Sequence, residues 1–226
     1  GASVDRAIAL ACLRLLGDPK ALTLARVAQE AATTPRTVNK FCATLGYRSF
    51  SVFKPDLIST CNARRMQMEH HVAQSDLGLI EQSISLHASV PFDLARFRGE
   101  VRLLNEAIRQ SDNVVIVGAV FPQMLFMHYE EDMLMLGKLV YALPVARHMR
   151  ASDEIGPDDL LVFVSFTGRL FSYYPDEYRA LARRCRRVAY VGPAQARPSG
   201  LDDCLQLTMP FVGDSEGANT VLLEML

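Results

Sequence analysis

The chain has 226 residues, half of them hydrophobic, and a formal net charge of −1, which is enough material for one large or two ordinary domains. Its longest apolar run, residues 160–164, is far too short to span a bilayer, and its five cysteines form no Cys-x-x-Cys pair. We therefore expect a cytoplasmic protein with no membrane partner, no disulfide framework, no metal site and no cofactor.

Three helices are predicted in the first 50 residues. Apolar residues at helical spacing mark one helix from about Val4 to Leu16 and a shorter one from Leu24 to Ala32. The third begins at Pro35, where the missing N–H of proline costs little, and Thr34 precedes it as the N-cap. Its apolar stripe, which we expect to be buried, consists of Val38, Phe41, Cys42 and Leu45.

The second and third helices fit two interpretations equally well on spacing alone. They form either an ordinary helical pair with a solvated polar face, or a helix-turn-helix whose second helix reads DNA. In the second interpretation Arg36 and Asn39 would read base edges, while hydroxyl and ammonium groups would hold phosphates. The candidate DNA contacts are then Thr34, Arg36, Thr37, Asn39, Lys40, Tyr47 and Arg48.

The charge distribution favours the DNA-binding interpretation. Residues 1–76 contain 10 Lys or Arg and 6 Asp or Glu, whereas residues 77–226 contain 14 and 19. A basic first part and an acidic second part indicate that only the first part meets a polyanion.

Beyond residue 112 the sequence pattern changes from successive helices to strands that alternate with helices. A helix is predicted over Asp93–Arg109, and five short apolar runs then alternate with helical segments, which is typical of a parallel sheet covered on both faces. We therefore predict an all-α helix-turn-helix DNA-binding domain over residues 1–76, a linker over residues 77–92, and an α/β domain with a doubly wound, five-stranded parallel sheet over residues 93–226. The predicted strands lie near residues 113–118, 138–143, 159–165, 186–192 and 204–210.

The stretch LTLARVAQEAATTPRTVNKFCATLGYRSFSVFK resembles the N-terminal domain of RpiR-type transcriptional regulators. In that family a Ser/Thr-x-x-Thr-Val-x-Arg-Phe segment is followed by Leu-Gly-Phe/Tyr and a further aromatic residue. Lys40 stands where the family usually has Arg, which keeps the charge but loses the bidentate geometry. The matching positions are Thr34, Thr37, Val38, Phe41, Leu45, Gly46, Tyr47 and Phe50.

The order of elements from Asn113 onward resembles the SIS (sugar isomerase) domain that follows the helical domain in those regulators. The family's Ser-x-Ser-Gly-x-Thr turn, which holds a phosphate, is here Ser-Phe-Thr-Gly-Arg-Leu over residues 165–170. Glu216 matches a position where enzymes of this fold often place a catalytic Glu. The resemblance implies effector contacts from Gly118, Ser165, Thr167, Gly168, Arg169 and Glu216.

Two features depart from the SIS pattern. The family's Gly-x-Gly-x-Ser loop after the first strand is here Gly-Ala-Val-Phe-Pro over residues 118–122, which loses a flexible residue, a hydroxyl and an amide N–H. In the next helix Glu130, Glu131 and Asp132 stand where related sequences often place a Lys, and they would repel a phosphate if they pointed inward.

The resemblance implies a transcriptional regulator of sugar or related metabolism rather than an enzyme. Its partners would be double-stranded operator DNA, a phosphosugar-like effector and further copies of the chain in a homodimer or homotetramer. Two alternatives stay open: a sugar-phosphate isomerase using Glu216 or His148 as its acid or base, and an SIS-type oligomerisation module without an effector.

Overall fold

The computed structural model describes residues 2–74, 77–88, 90–118, 126, 129–134, 138–144 and 155–211. The chain divides into two compact units, which we call the helical unit and the α/β unit. The helical unit comprises Gly1–Gln74 with Asp132–Leu139, and the α/β unit comprises Ser75–Glu131 with Val140–Leu226. None of the described helices combines the length and the hydropathy needed to cross a bilayer.

Residues 2–74 fold into helices, and the first three lie near the predicted positions. The second and third begin as expected, because Thr23 Oγ1 accepts the N–H of Arg26 at 3.2 Å and Thr34 Oγ1 accepts the N–H of Thr37 at 3.2 Å. Pro35 is the first residue of the third helix, as predicted. The helices are α1 (Ala2–Arg14), α2 (Leu24–Glu30), α3 (Pro35–Thr44) and α4 (Phe50–Gln74).

The apolar stripe of α3 is buried except at its end. Val38, Phe41 and Cys42 lie in one cluster with apolar residues of α1, α2 and α4. The prediction that Leu45 belongs to this stripe is wrong, because its side chain is 50% exposed. Helix α3 ends at Thr44, and the chain turns away through Leu45 to Gly46, whose φ is +89°.

The start of α4 is held by residues that precede it. Phe50, the first residue of α4, donates its N–H to Asn39 Oδ1 at 3.0 Å, which satisfies one of the amides that a helix start leaves unpaired. Tyr47 donates its hydroxyl to Asp56 of α4, and its ring packs edge-on against Phe53 at 5.1 Å between centroids.

The α/β unit carries a five-stranded sheet flanked by helices, as predicted. The strands follow the order β2-β1-β3-β4-β5, and the pairings β1–β3, β3–β4 and β4–β5 are parallel. The elements are α5 (Leu77–His87), α6 (Leu94–Gln110), β1 (Asn113–Gly118), β2 (Leu139–Pro144), β3 (Leu160–Val164), α7 (Arg169–Tyr173), α8 (Pro175–Ala182), β4 (Arg187–Gly192) and β5 (Leu205–Thr208). Helix α5 occupies most of the segment predicted as a linker, and the predicted helix over residues 217–226 lies outside the described residues.

The sheet is covered on both faces. Successive side chains of a strand point to opposite faces, and all five residues of β3 are buried. One face packs against α7 and α8 through an aromatic cluster of edge-to-face rings whose centroids lie 5.0–6.1 Å apart. These rings belong to Phe163, Phe171, Tyr178 and Tyr190.

The hydrogen bond to Phe50 makes Asn39 a structural residue as well as a candidate DNA contact. We expect Asn39→Ala to lower the free energy of unfolding of the helical unit by about 1 kcal/mol, because a helix-start amide loses its acceptor. Chemical denaturation with circular dichroism and amide exchange at the start of α4 would measure the loss.

Lys40→Ala is the matched control, since Lys40 is exposed and should change stability by less than about 0.5 kcal/mol. Equal stability of the two variants would contradict the assigned role of Asn39.

Candidate functional site

The outward face of α3 and the turn that follows it carry cations without a partner among the described residues. Arg36, Lys40 and Arg48 are exposed, and among the described residues they make no hydrogen bond or ion pair. On α2, by contrast, Arg26 pairs with Glu30 at 3.1 Å. The hydroxyls of Thr34 and Thr37 lie 2.9 Å apart on the first turn of α3, so this face offers hydroxyl groups beside cations.

Two of the residues predicted to contact DNA make hydrogen bonds within the helical unit. Asn39 is half-buried and accepts from Phe50, and the hydroxyl of half-buried Tyr47 is bonded to Asp56. The hydrogen bond to Asp56 raises the pKa of Tyr47, because the carboxylate favours the protonated phenol. Their contacts with DNA stay predictions, whereas their contacts within the helical unit are observed.

In the α/β unit the candidate effector residues gather at the carboxyl edge of the sheet. The strand order places β1 beside β3, where the direction of strand succession reverses, and open α/β sheets bind ligands at such a switch point. Gly118 ends β1 in register with Val164, so Ser165 follows at the same edge. Glu216 and residues 119–122 of the first loop lie outside the described residues.

The turn after β3 is buried at its first residue and exposed further along. Ser165 is buried, and its N–H donates to the carbonyl of Val191 at 3.1 Å. Thr167 and Arg169 are exposed, and Thr167 Oγ1 accepts the N–H of Arg169 at 3.4 Å. Gly168 between them has a φ of +70°, and a Cβ there would lie 3.3 Å from Ala196 Cβ, so both the backbone conformation and the space favour glycine. The sequence pattern did not predict the short helix α7 that follows.

A tyrosine that sequence reasoning missed holds this turn in place. The hydroxyl of the fully buried Tyr190 in β4 lies 2.9 Å from the carbonyl oxygen of Ser165 and 3.0 Å from that of Pro193, so these two acceptors share its single proton. A Cβ at Gly192 would lie 2.3 Å from both Ser165 O and Tyr190 Oη, so glycine is needed to admit the hydroxyl. Burial raises the pKa of Tyr190, so the hydroxyl stays protonated at neutral pH.

A polar groove of about 460 Å³ lies beside the turn, between α8 and the loop that follows β4. This volume suits a small-molecule ligand. The groove continues from the turn itself, because Thr167 and Gly168 form part of its wall. Its other polar lining residues include Ser172, Arg179, Gln195 and Ser199.

Two of the three acidic residues that follow β1 have partners in the chain. Glu130 accepts the N–H of Ala142 in β2, and its pKa is raised by burial, partly offset by that hydrogen bond. Asp132 pairs with Arg64 of α4 at 2.8 Å. Both carboxylates are therefore engaged by other groups of the chain, and their repulsion of a phosphate stays a prediction.

No protein-family model and no curated protein sequence matches the chain. Solved structures that are similar to it include the Vibrio vulnificus NanR protein complexed with ManNAc-6P, at 18% identity over 94% of this chain and 81% of that chain, with a TM-score of 0.45. Others are the sugar isomerase domain of an RpiR transcription factor from Sphaerobacter thermophilus (19% identity, 70% and 88% covered, TM-score 0.44) and the E. coli CFT073 protein c3406 (13% identity, 70% and 86% covered, TM-score 0.48). Identities and TM-scores of this size do not show a family.

The contacts of Tyr190 predict that its hydroxyl stabilises the turn after β3. We expect Tyr190→Phe to lower the free energy of unfolding of the α/β unit by about 1–3 kcal/mol, because two buried carbonyls lose the one hydroxyl proton that they share. Chemical denaturation, with amide exchange over residues 165–169 and 191–193, would measure the loss.

Tyr173→Phe provides the control, because Tyr173 is 71% exposed and its hydroxyl should contribute little. A Tyr190→Phe protein as stable as the Tyr173→Phe protein would show that the hydroxyl does not hold the turn.

Proposed function

We propose that the chain is a DNA-binding transcriptional regulator of RpiR type, whose SIS-like α/β unit binds a phosphosugar-like effector. The observation that carries this proposal is the two-faced character of α3. One face is buried in the core of the helical unit, and the other presents Arg36 and Lys40 to solvent without a neutralising partner among the described residues. A helix that reads DNA needs both properties.

The position of α3 supports this role. Helix α2 precedes it across a short turn, and the buried Val27 and Ala28 of α2 share a core with the buried face of α3. Helix α4 then follows, with its start tied to Asn39. A helix held from both sides can enter the major groove without losing its orientation, and we propose residues 1–76 as the DNA-binding domain.

The effector proposal rests on the turn after β3. Phosphate groups are bound by hydroxyls, main-chain N–H groups and cations where steric bulk is low. Thr167, Gly168 and Arg169 supply these features at the carboxyl edge of the sheet, beside the end of β1. Residues 93–226 would form the effector-binding domain, and the segment 77–92 would link it to the DNA-binding domain. Dimers or tetramers would present two DNA-binding domains to a symmetric operator.

We propose binding rather than catalysis at this edge. Isomerisation of a sugar phosphate needs a carboxylate or histidine as general base. The described residues that line the groove supply hydroxyl, amide and guanidinium groups, which recognise anions but do not abstract protons at neutral pH.

The cationic face of α3 gives a direct test on a mixed-sequence DNA duplex, since binding without sequence preference is dominated by phosphate contacts. We expect the double variant Arg36→Ala, Lys40→Ala to reduce the slope of log K against log salt concentration by about 1 per residue removed. Fluorescence anisotropy across a salt series would measure both slopes.

Lys20→Ala is the control, because it removes one positive charge from an exposed turn outside α2 and α3. If the double variant keeps the slope of the unmodified chain, α3 does not contact DNA.

A further inference from the structure

Among the described residues that line the groove beside the turn after β3, Arg179 is the cation least engaged by the fold. Arg197 also lines the groove, but its Nη2 donates to the carbonyls of Leu201 and Asp202, so this side chain secures the loop before β5. Arg179 of α8 is 39% exposed, and its hydrogen bond to Ser199 Oγ is long, at 3.4 Å.

The guanidinium of Arg179 makes weak contacts with its neighbours. It lies over the ring of Tyr178, 5.3 Å from the centroid, and the Tyr178 hydroxyl is fixed by donation to the carbonyl of Ser199 at 2.9 Å. Its ion-pair partner is Asp176, whose Oδ1 lies 3.8 Å from Nη1 on a side chain that is 95% exposed. An ion pair so exposed contributes little, so most of the donor capacity of Arg179 is available to a ligand.

We propose that this groove binds the carboxylate of an acidic sugar phosphate, with Arg179 as its principal contact and Ser199 beside it. The inference rests on the proposed function, because the phosphate of the same ligand would bind at Thr167–Arg169. Thr167, at the proposed phosphate end, and Arg179, at the proposed carboxylate end, line the same continuous groove.

The chemistry of the lining favours a carboxylate over a neutral hydroxyl at this end. A guanidinium presents parallel N–H groups that match the two oxygens of a carboxylate, whereas a hydroxyl accepts at a single oxygen. The described lining residues also include no carboxylate that would repel an anion. The effector class is therefore narrowed from sugar phosphates in general to those that carry a second acidic group.

The test compares two ligands that differ only at this end. 6-Phosphogluconate carries a carboxylate where sorbitol 6-phosphate carries a hydroxymethyl group. Isothermal titration calorimetry with the full chain should show at least about tenfold tighter binding of 6-phosphogluconate, as expected for hydrogen bonds to a charged group. Arg179→Gln should abolish this preference, and Arg179→Lys, which keeps the charge but not the fork, should retain only part of it.

Arg183→Gln is the matched control, because Arg183 is exposed one turn further along, does not line the groove, and carries the same charge. It should preserve the preference, and melting temperatures would confirm that all variants are folded. Equal binding of the two ligands by the unmodified chain, or a preference that survives in Arg179→Gln, would overturn the carboxylate site while leaving phosphosugar binding intact. Binding of neither ligand, by a chain that still binds duplex DNA, would overturn the effector proposal and this inference together.

Discussion

The pairing of β1 with β3 determines where ligand chemistry can occur in the α/β unit. Because both strands are buried and parallel, their carboxyl ends meet at one edge, and the loops that follow them emerge side by side. The opposite edge is aligned by Asp159, whose carboxylate accepts both the main-chain and side-chain N–H groups of Asn113 and the N–H of Gly156. The buried Tyr190 then joins the turn after β3 to the loop after β4, so the candidate phosphate turn and the groove beside it share one rigid support.

The helical unit holds the charged face of α3 toward solvent. The buried side of α3 packs into a shared core, and its outward cations stay unpaired among the described residues. Cations without a partner add no ion-pair stabilisation to the fold, and they form the face that we propose for DNA binding. Asn39 and Tyr47, both candidate DNA contacts, make hydrogen bonds to residues of α4 within the helical unit.

Sequence patterns predicted the features of the fold that depend on local periodicity and capping. The strands, the start of α3 at Pro35 and its Thr34 cap follow from apolar spacing and from capping chemistry within three residues. The hydrogen bonds from Phe50 to Asn39, from Tyr190 to Ser165 and from Arg179 to Ser199 join residues 11 to 25 positions apart, and no local pattern encodes them. Leu45 was misassigned for a related reason, because helical spacing does not reveal that the helix ends one residue earlier.

We propose that this chain recognises a specific DNA sequence through α3. Selection of duplexes from a random-sequence pool by the full chain, followed by sequencing over several rounds, tests it most directly. Progressive enrichment of one sequence with two-fold symmetry is the result predicted for a dimeric or tetrameric regulator. A pool that stays random after selection would contradict the claim, because charge alone attracts every duplex equally.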